Sequence, residues 1–354
     1  MAQHLKPHQL SRGEGSDVSV YGDERVSDPR VSVLTPIYNV GRYLPTCLES
    51  LSSQTLQDIE FICINDGSTD ESLEVALSFA NSDCRFVVVD KPNSGYGASM
   101  NIGLSLARGE YVGIVESDDY ADSEMFAKLY ELAKSNDCDI ARGNRYDLSD
   151  DRDSYKEVLA GMEYGKVFRP LENQSIFDPA PCIWSQIYLR SFLEKNGIAF
   201  LETPGASFQD TGFVYKSYIA AERMILTKDA YLHYRVDNAG SSVKSSAKPT
   251  YIVDEFRSIE AFLADRPAAY ELFRYGLEQL RFQAYTWNWG RLNWSGRSIF
   301  LPAAIDDLAR GYASGSIRRE DYSEEQWRIL WRLIRHPRLS LLKTRVRGQL
   351  EHLF

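Results

Sequence analysis

Along the first third of the chain, apolar positions fall into two alternating kinds of segment. Short β-branched runs at 31–34, 59–64, 86–89 and 111–115 have the composition of buried strands. Between them, apolar residues recur at helical spacing: Leu44, Leu48 and Leu51, then Leu73, Ala76, Leu77 and Ala80. A glycine-punctuated loop and helix follows at 93–107, and another helix at about 123–134. Strands alternating with single helices predict βαβ units, an α/β fold and a parallel, twisted, Rossmann-like sheet. Pro36 is expected to end the first strand.

The pattern changes after Arg145. Residues 147–157 are charge-rich and read as a loop, and 164–242 is mixed, with many aromatics. Residues 251–263 place Ile252, Phe256, Ile259 and Phe262 on one helical face. Amphipathic helices are also expected at 268–287 and 323–335, the last carrying Trp327, Leu330, Trp331 and Ile334. Residues 1–29 are polar and charged, without the apolar core of a signal peptide, and read as a mobile tail.

Composition narrows the function classes. At 354 residues and 44% hydrophobic, the chain can bury a sizeable core in two domains, or in one plus an extension. A net charge of -10 argues against nucleic acid as a partner. The five cysteines and five histidines are scattered. That pattern reads as reduced thiols in a cytoplasmic chain and argues against a histidine-based metal site. No stretch approaches 18 apolar residues, so no membrane span is expected.

The polar residues at the strand ends carry the candidate chemistry. Thr35, Asn39, Asp66, Asn93, Glu116 and Asp118 all fall at C-terminal ends of strands, the edge where open α/β sheets bind ligands. In Glu116-Ser117-Asp118-Asp119, period-two alternation puts Glu116 and Asp118 on one side. Hard carboxylate oxygens there suit a divalent cation on a diphosphate, or are a solvated acidic turn. Asp66 reads as an acceptor for a base or ribose, or as an Asx-turn. Gly95 and Gly97 allow close backbone approach to a ligand, although the partial Gly-x-Gly-x-x match with Met100 does not make a dinucleotide fingerprint. Asp210, among aromatics, is a general base or an ordinary helix cap. Trp184 stacks on a sugar or belongs to the core. Arg235, ahead of a Gly-Ser-Ser loop, could close over phosphates. The basic run from Arg328 to Arg347 docks on an anionic membrane or is a solvated helix face.

Taken together, four ordered motifs resemble family 2 glycosyltransferases, inverting enzymes of the GT-A fold. They are the opening strand through Tyr38-Asn39, Asn65-Asp66-Gly67-Ser68-Thr69-Asp70, Glu116-Ser117-Asp118-Asp119 as the Asp-x-Asp motif, and Gln209-Asp210 as the Glu-Asp pair. The resemblance is strong over 30–145 and weaker to 245. It implies a mixed, mostly parallel sheet flanked by helices, a nucleotide-sugar half (30–145), an acceptor half (146–245) and a helical C-terminal extension (246–354). It further implies that Thr35, Pro36, Tyr38 and Asn39 line a uridine pocket and that Asp66 holds the base. Asp118 would be the metal ligand for Mn²⁺ or Mg²⁺. Glu116 would face the donor's ribose or sugar, and Asp210 would be the base. Asn93, Gly95, Ser117, Trp184 and Arg235 complete the expected donor site. Three positions depart from the pattern: Glu116 for Asp, Gln209 for Glu, and Met100 for an Arg. The implied activity is transfer of a sugar from a nucleotide-sugar, a UDP-sugar above all, to a carbohydrate or lipid-linked acceptor at the cytoplasmic face of a membrane. A sugar-nucleotide nucleotidyltransferase and a non-catalytic binding or scaffold protein are the alternatives, and a homo-oligomer stays open.

Overall fold

A computed structural model describes residues 8–9, 18–22, 26–150, 152–238, 248–342 and 344. The chain forms two compact units, Met1–Asn238 and Ala239–Phe354. The first is built on one sheet whose strands, in chain order, are β1 (His8–Gln9), β2 (Ser19–Tyr21), β3 (Val31–Ile37), β4 (Ile59–Asp66), β5 (Phe86–Lys91), β6 (Tyr111–Ile114), β7 (Tyr120–Ala121), β8 (Ile140–Ser149), β9 (Arg152–Lys156), β10 (Gln186–Leu189) and β11 (Met224–Arg235). Across the sheet the order is β1-β2-β5-β4-β3-β6-β10-β8-β11-β7, with β9 on β8. Strands β5, β4, β3 and β6 are parallel, and so are β8 and β11, while β10 lies antiparallel between β6 and β8. The sheet is therefore mixed, mostly parallel at its centre and antiparallel toward its edges. Its helices are α1 (Leu44–Ser52), α2 (Ser72–Ser82), α3 (Tyr96–Leu106), α4 (Met125–Ser135), α5 (Arg190–Asn196) and α6 (Gln209–Ala220).

Strands β3 and β4 are buried at every position, so their apolar residues run on without alternating. Two of their polar exceptions pair with each other. Ser32 lies opposite Glu60 and donates to its Oε1 (2.6 Å), and the Arg108 amide and guanidinium both reach the same carboxylate (each 2.9 Å). Those partners offset the cost of burying a carboxylate.

Three expectations are corrected. Pro36 does not end β3, which runs on to Ile37 in register with β4. Its missing N–H is tolerated because β6 pairs with β3 only as far as Leu34. The N-terminal region is not all tail, since Ser19–Tyr21 pairs antiparallel with β5. Within 147–157, the end of β8 pairs antiparallel with β9, Asp147 to Ser149 lying opposite Arg152 to Ser154. Strand β9 is exposed throughout, so its faces carry no apolar alternation to read.

In the second unit the expected helices are α7 (Tyr251–Ala264), α8 (Pro267–Arg291) and α10 (Glu324–Arg335). Helix α9 (Trp294–Ala313) was not foreseen, and its internal Pro302 masks its periodicity. Phe282, Leu308, Ile317, Tyr322 and Leu330 form the core here, with Trp327, Leu333 and Ile334 packed on it. A capping box of Ser323 and Gln326 starts α10. Among the described residues, no helix is long and apolar enough to cross a membrane. The Gly240-Ser241-Ser242 stretch and Lys343, Arg345 and Arg347 lie outside the described residues.

Candidate active site

The parallel strands β3, β4, β5 and β6 bring their C-terminal ends to one edge, and the candidate residues gather there. Strand β6 stops at Ile114 and the chain turns, with the Asp119 amide donating to the Glu116 carbonyl (3.0 Å). Burial alternates along this turn: Glu116 and Asp118 are half-buried, Ser117 and Asp119 buried. Period two thus persists past the strand. Tyr96 Oη donates to Glu116 Oε1 (2.6 Å). Burial, with the charges of Asp118 and Asp210, pushes the Glu116 carboxyl up to about 8 against the pull of that hydrogen bond.

Arg235 holds the same turn from β11. Its backbone N–H donates to Asp119 Oδ1 (2.8 Å), its Nε to the Asp118 carbonyl (3.1 Å), and its guanidinium lies over Tyr43 (4.8 Å). It is first a clamp on the acidic turn. Asn238 Nδ2 donates to Asp118 Oδ2 (2.8 Å). Asp119 Oδ2 is buried with no hydrogen-bond partner among the described residues. Burial, with Asp118 beside it, pushes that carboxyl well up.

Loops after β3 and β4 are tied together. Asn39, in the left-handed region (φ +53°), accepts the Thr69 amide on Oδ1 (2.7 Å) and donates its own amide to Ser68 Oγ (3.1 Å). Asp70 accepts the Gly41 amide (3.0 Å). Tyr38 is 52% exposed beside them, while Thr35, with Pro36 next to it, is buried and its Oγ1 lacks a partner among the described residues. Asp66 makes no Asx-turn among the described residues, and in the turn beside it Asn65 Oδ1 accepts the Ser68 amide three residues on (3.3 Å). Both Asp66 oxygens are engaged instead, by Lys91 in a buried ion pair and by the amides of Ser94 (2.8 Å) and Gly95 (3.0 Å). This carboxylate shapes the 91–95 loop, which leaves Asn93 exposed at the rim.

Gly95 and Gly97 do serve close approach, but to the chain itself. A Cβ on Gly95 would lie 2.7 Å from the Gly205 amide, and one on Gly97 would lie 2.1 Å from the Leu201 carbonyl oxygen. Met100, where the resemblance has an Arg, is wholly buried. Trp184 is buried, with one face stacked on Tyr234 (4.9 Å) and the Arg145 guanidinium 5.3 Å from its ring.

Asp210 is the second residue of α6, so it is not the cap. It accepts the Thr211 amide on Oδ1 (2.8 Å). Burial pushes this carboxyl up to about 6, with the Thr211 hydrogen bonds opposing. Asp210 also contributes to the raised Glu116, and to the hydroxyls of Tyr96, Tyr188 and Tyr215, which burial chiefly pushes up. The base candidate therefore lies within electrostatic reach of Glu116 and Tyr96. Lys91, Tyr96, Asp119 and Asn238 were missed from sequence because each acts across a sequence gap that no spacing rule connects.

Among the described residues, no group of three or more His, Cys, Asp or Glu could hold an ion by itself. Magnesium-type sites use one or two carboxylates and complete their shell with substrate phosphates and water. The Glu116–Asp118 turn offers half-buried carboxylates of that kind at the sheet edge.

A mixed sheet with carboxylates at the end of a central strand, and a carboxyl at a helix start, has the layout of a GT-A sugar transferase. The chain belongs to glycosyltransferase family 2: residues 32–196 match the model described as "Glycosyl transferase family 2". It is 34% identical over 227 residues to the uncharacterized glycosyltransferase EpsJ of Bacillus subtilis, covering 62% of this chain and 65% of that one, just under two thirds. It is 32% identical over 213 residues to glycosyltransferase GlyG of Streptococcus pneumoniae, covering 58% of this chain and 70% of GlyG. The fold is shared with S. aureus TarS 1-349, crystallised in complex with UDP-GlcNAc, over 92% of each chain (TM-score 0.68, 20% identity). Membership of this family does not fit the nucleotidyltransferase alternative.

Proposed function

We propose that this enzyme moves a sugar, with inversion, from a UDP-sugar to an acceptor hydroxyl in the synthesis of a surface polysaccharide or lipid-linked oligosaccharide. One observation supports the reading above others: hydrogen bonds through Gly205 and Tyr96 tie the start of the helix that carries Asp210 to Glu116 of the acidic turn. Asp210 takes the proton of the acceptor hydroxyl as its oxygen bonds to the anomeric carbon. The bond from that carbon to the diphosphate breaks on the opposite face, and the electron pair leaves with the diphosphate. A single displacement inverts the anomer. Glu116, gripped by Tyr96, faces the donor's ribose or sugar. Thr35, Pro36, Tyr38 and Asn39 line the base and ribose, and Asp66 presents the 91–95 loop to them. Ser117, Trp184 and Arg235 frame the sugar and phosphates. A divalent cation bound at Asp118 would neutralise charge on the leaving diphosphate. TarS, crystallised with UDP-GlcNAc, supports a uridine donor.

The acceptor side is read as membrane-linked, at the cytoplasmic face. Arg328, Arg332 and Arg335 form an exposed basic stripe on α10, with exposed Ile329 beside it. Among the described residues none of these three arginines forms an ion pair, whereas Arg310, Arg318 and Arg319 do. Exposed positive charge without ion pairs among the described residues, on a chain of net charge -10, suits an anionic surface.

The test is nucleotide release from a panel of UDP-, GDP-, CDP- and dTDP-sugars with Mn²⁺ or Mg²⁺, using membrane extract as acceptor. A UDP-sugar alone should turn over, and EDTA or Asp118→Ala should abolish the reaction. Asp210→Asn should keep UDP binding and lose about 10²–10⁴-fold in transfer. An Asp210→Asn enzyme at wild-type rate removes Asp210 from the mechanism.

A further inference from the structure

Gln209 stands directly before the base and is buried. Its side chain makes three hydrogen bonds, all to the turn that precedes it. Nε2 donates to Thr203 Oγ1 (2.8 Å) and to the Gly205 carbonyl (3.1 Å), and Oε1 accepts the Ser207 amide (2.6 Å). Between turn and helix, Phe208 sits in the left-handed region at φ +69°. A non-glycine residue stays there only when its surroundings over-determine it. The Gln209 amide supplies that determination from one side, and the Thr211 amide, donating to the Phe208 carbonyl (2.9 Å), from the other.

The clamped turn is also the support of the donor side. The Gly205 carbonyl accepts the Tyr96 amide (3.1 Å), and the Tyr96 hydroxyl donates to Glu116. Asn101 holds the start of the same segment, accepting the Phe200 amide (2.9 Å) and donating to the Phe200 carbonyl (3.0 Å). One hydrogen-bonded path therefore joins the helix that carries Asp210 to the residue that grips Glu116.

We propose that Gln209 is a positioning residue for transfer, whose amide locks the 203–207 turn and so sets Asp210 against the acceptor, a task that a carboxylate there cannot perform. The inference rests on the reading of Asp210 as the base. A carboxylate has no N–H to donate, so Glu in this place forfeits the bond to the Gly205 carbonyl and turns a negative charge toward that oxygen. It also adds a second buried acid next to Asp210, which raises the pH at which the base ionises. The residue expected at this position from the family resemblance is thus the damaging one here.

The experiment compares wild type, Gln209→Glu, Thr203→Val and Asp210→Asn. Nucleotide release from the UDP-sugar that wild type turns over is followed against pH. UDP affinity is measured by calorimetry with Mn²⁺, and amide exchange is followed across residues 201–211. Gln209→Glu should lower kcat by about 10- to 10²-fold, leave UDP affinity unchanged, move the acid limb to higher pH and lose exchange protection in 201–211. Thr203→Val, which removes one partner and no charge, should lower kcat less and leave the limb in place. Gln209→Glu at wild-type kcat, or a loss that follows lost UDP affinity, overturns the proposal. If Gln209→Glu does not fold, wild-type kcat and protection in Thr203→Val overturn it instead. Asp210→Asn separates the two readings. Activity there defeats the base assignment, whereas its inactivity beside a fully active Gln209→Glu defeats only the role of Gln209.

Discussion

Asp210 shows what burial does for one side chain. An exposed aspartate is too weak a base to take a hydroxyl proton well, and a fully isolated one would stay protonated at neutral pH. Recessed at the start of α6 and held at about 6, this carboxyl is mostly ionised near pH 7 yet basic enough to act. Only the ionised form accepts a proton. Transfer should therefore climb as pH rises through about 6 and level off above it, a profile read from kcat/KM against pH. Residual activity in Asp210→Asn should lack that limb. The carboxyl was legible in sequence as a candidate, but its pKa was not, because the groups that bury it come from distant segments. Asp66 makes the same point from the other side. Its place at the end of β4 was legible, whereas its engagement with Lys91, Ser94 and Gly95 depends on where the next strand's loop folds back.

At the scale of elements, α3 and the 200–208 segment behave as one body. Helix propensity alone says that alanine at Gly97 should stabilise α3 by about 1 kcal/mol. The structure reverses the sign, because the added Cβ would lie 2.1 Å from the Leu201 carbonyl oxygen, a backbone atom that cannot swing aside. Gly97→Ala should destabilise the protein by about 1–3 kcal/mol in denaturant unfolding, the usual cost of forced overpacking. A stabilised Gly97→Ala would mean that the segment is not seated on α3. From sequence this glycine marked a close approach, and nothing local said that the approaching partner was the chain itself. The antiparallel pair of β8 and β9 was invisible for a related reason: exposed on both faces, β9 has no apolar alternation, and only pairing with β8 makes it a strand.

For the whole molecule, charge distribution matters more than its sum. An acidic chain should be repelled by anionic bilayers, yet the α10 stripe of Arg328, Arg332 and Arg335 offers exposed cations without ion pairs among the described residues. Each basic residue near such a surface contributes about 1 kcal/mol, and the attraction is screened by salt. Co-sedimentation should show binding to vesicles with phosphatidylglycerol, none to pure phosphatidylcholine, and release as salt rises. Reversing all three arginines to Glu should weaken binding at least roughly 100-fold. Equal binding by the reversed variant would assign the stripe to solvent.

The sequence by itself determined the alternation of strands and helices, the edge at which the chemistry collects, and the four ordered motifs. It could do so because buried parallel strands and amphipathic helices are local patterns, and because each motif is a short run of adjacent residues. Tertiary structure alone decided that Pro36 lies within β3, that Arg235 clamps the Asp118–Asp119 turn, and that Gln209 and Tyr96 connect the base to the acidic turn. The Tyr96–Glu116 bond spans 20 positions and the Arg235–Asp119 bond 116, and a hydrogen bond between such residues leaves no periodicity behind. What they share is burial, which raises Asp210 and Glu116 and depends on every segment that closes over the sheet edge.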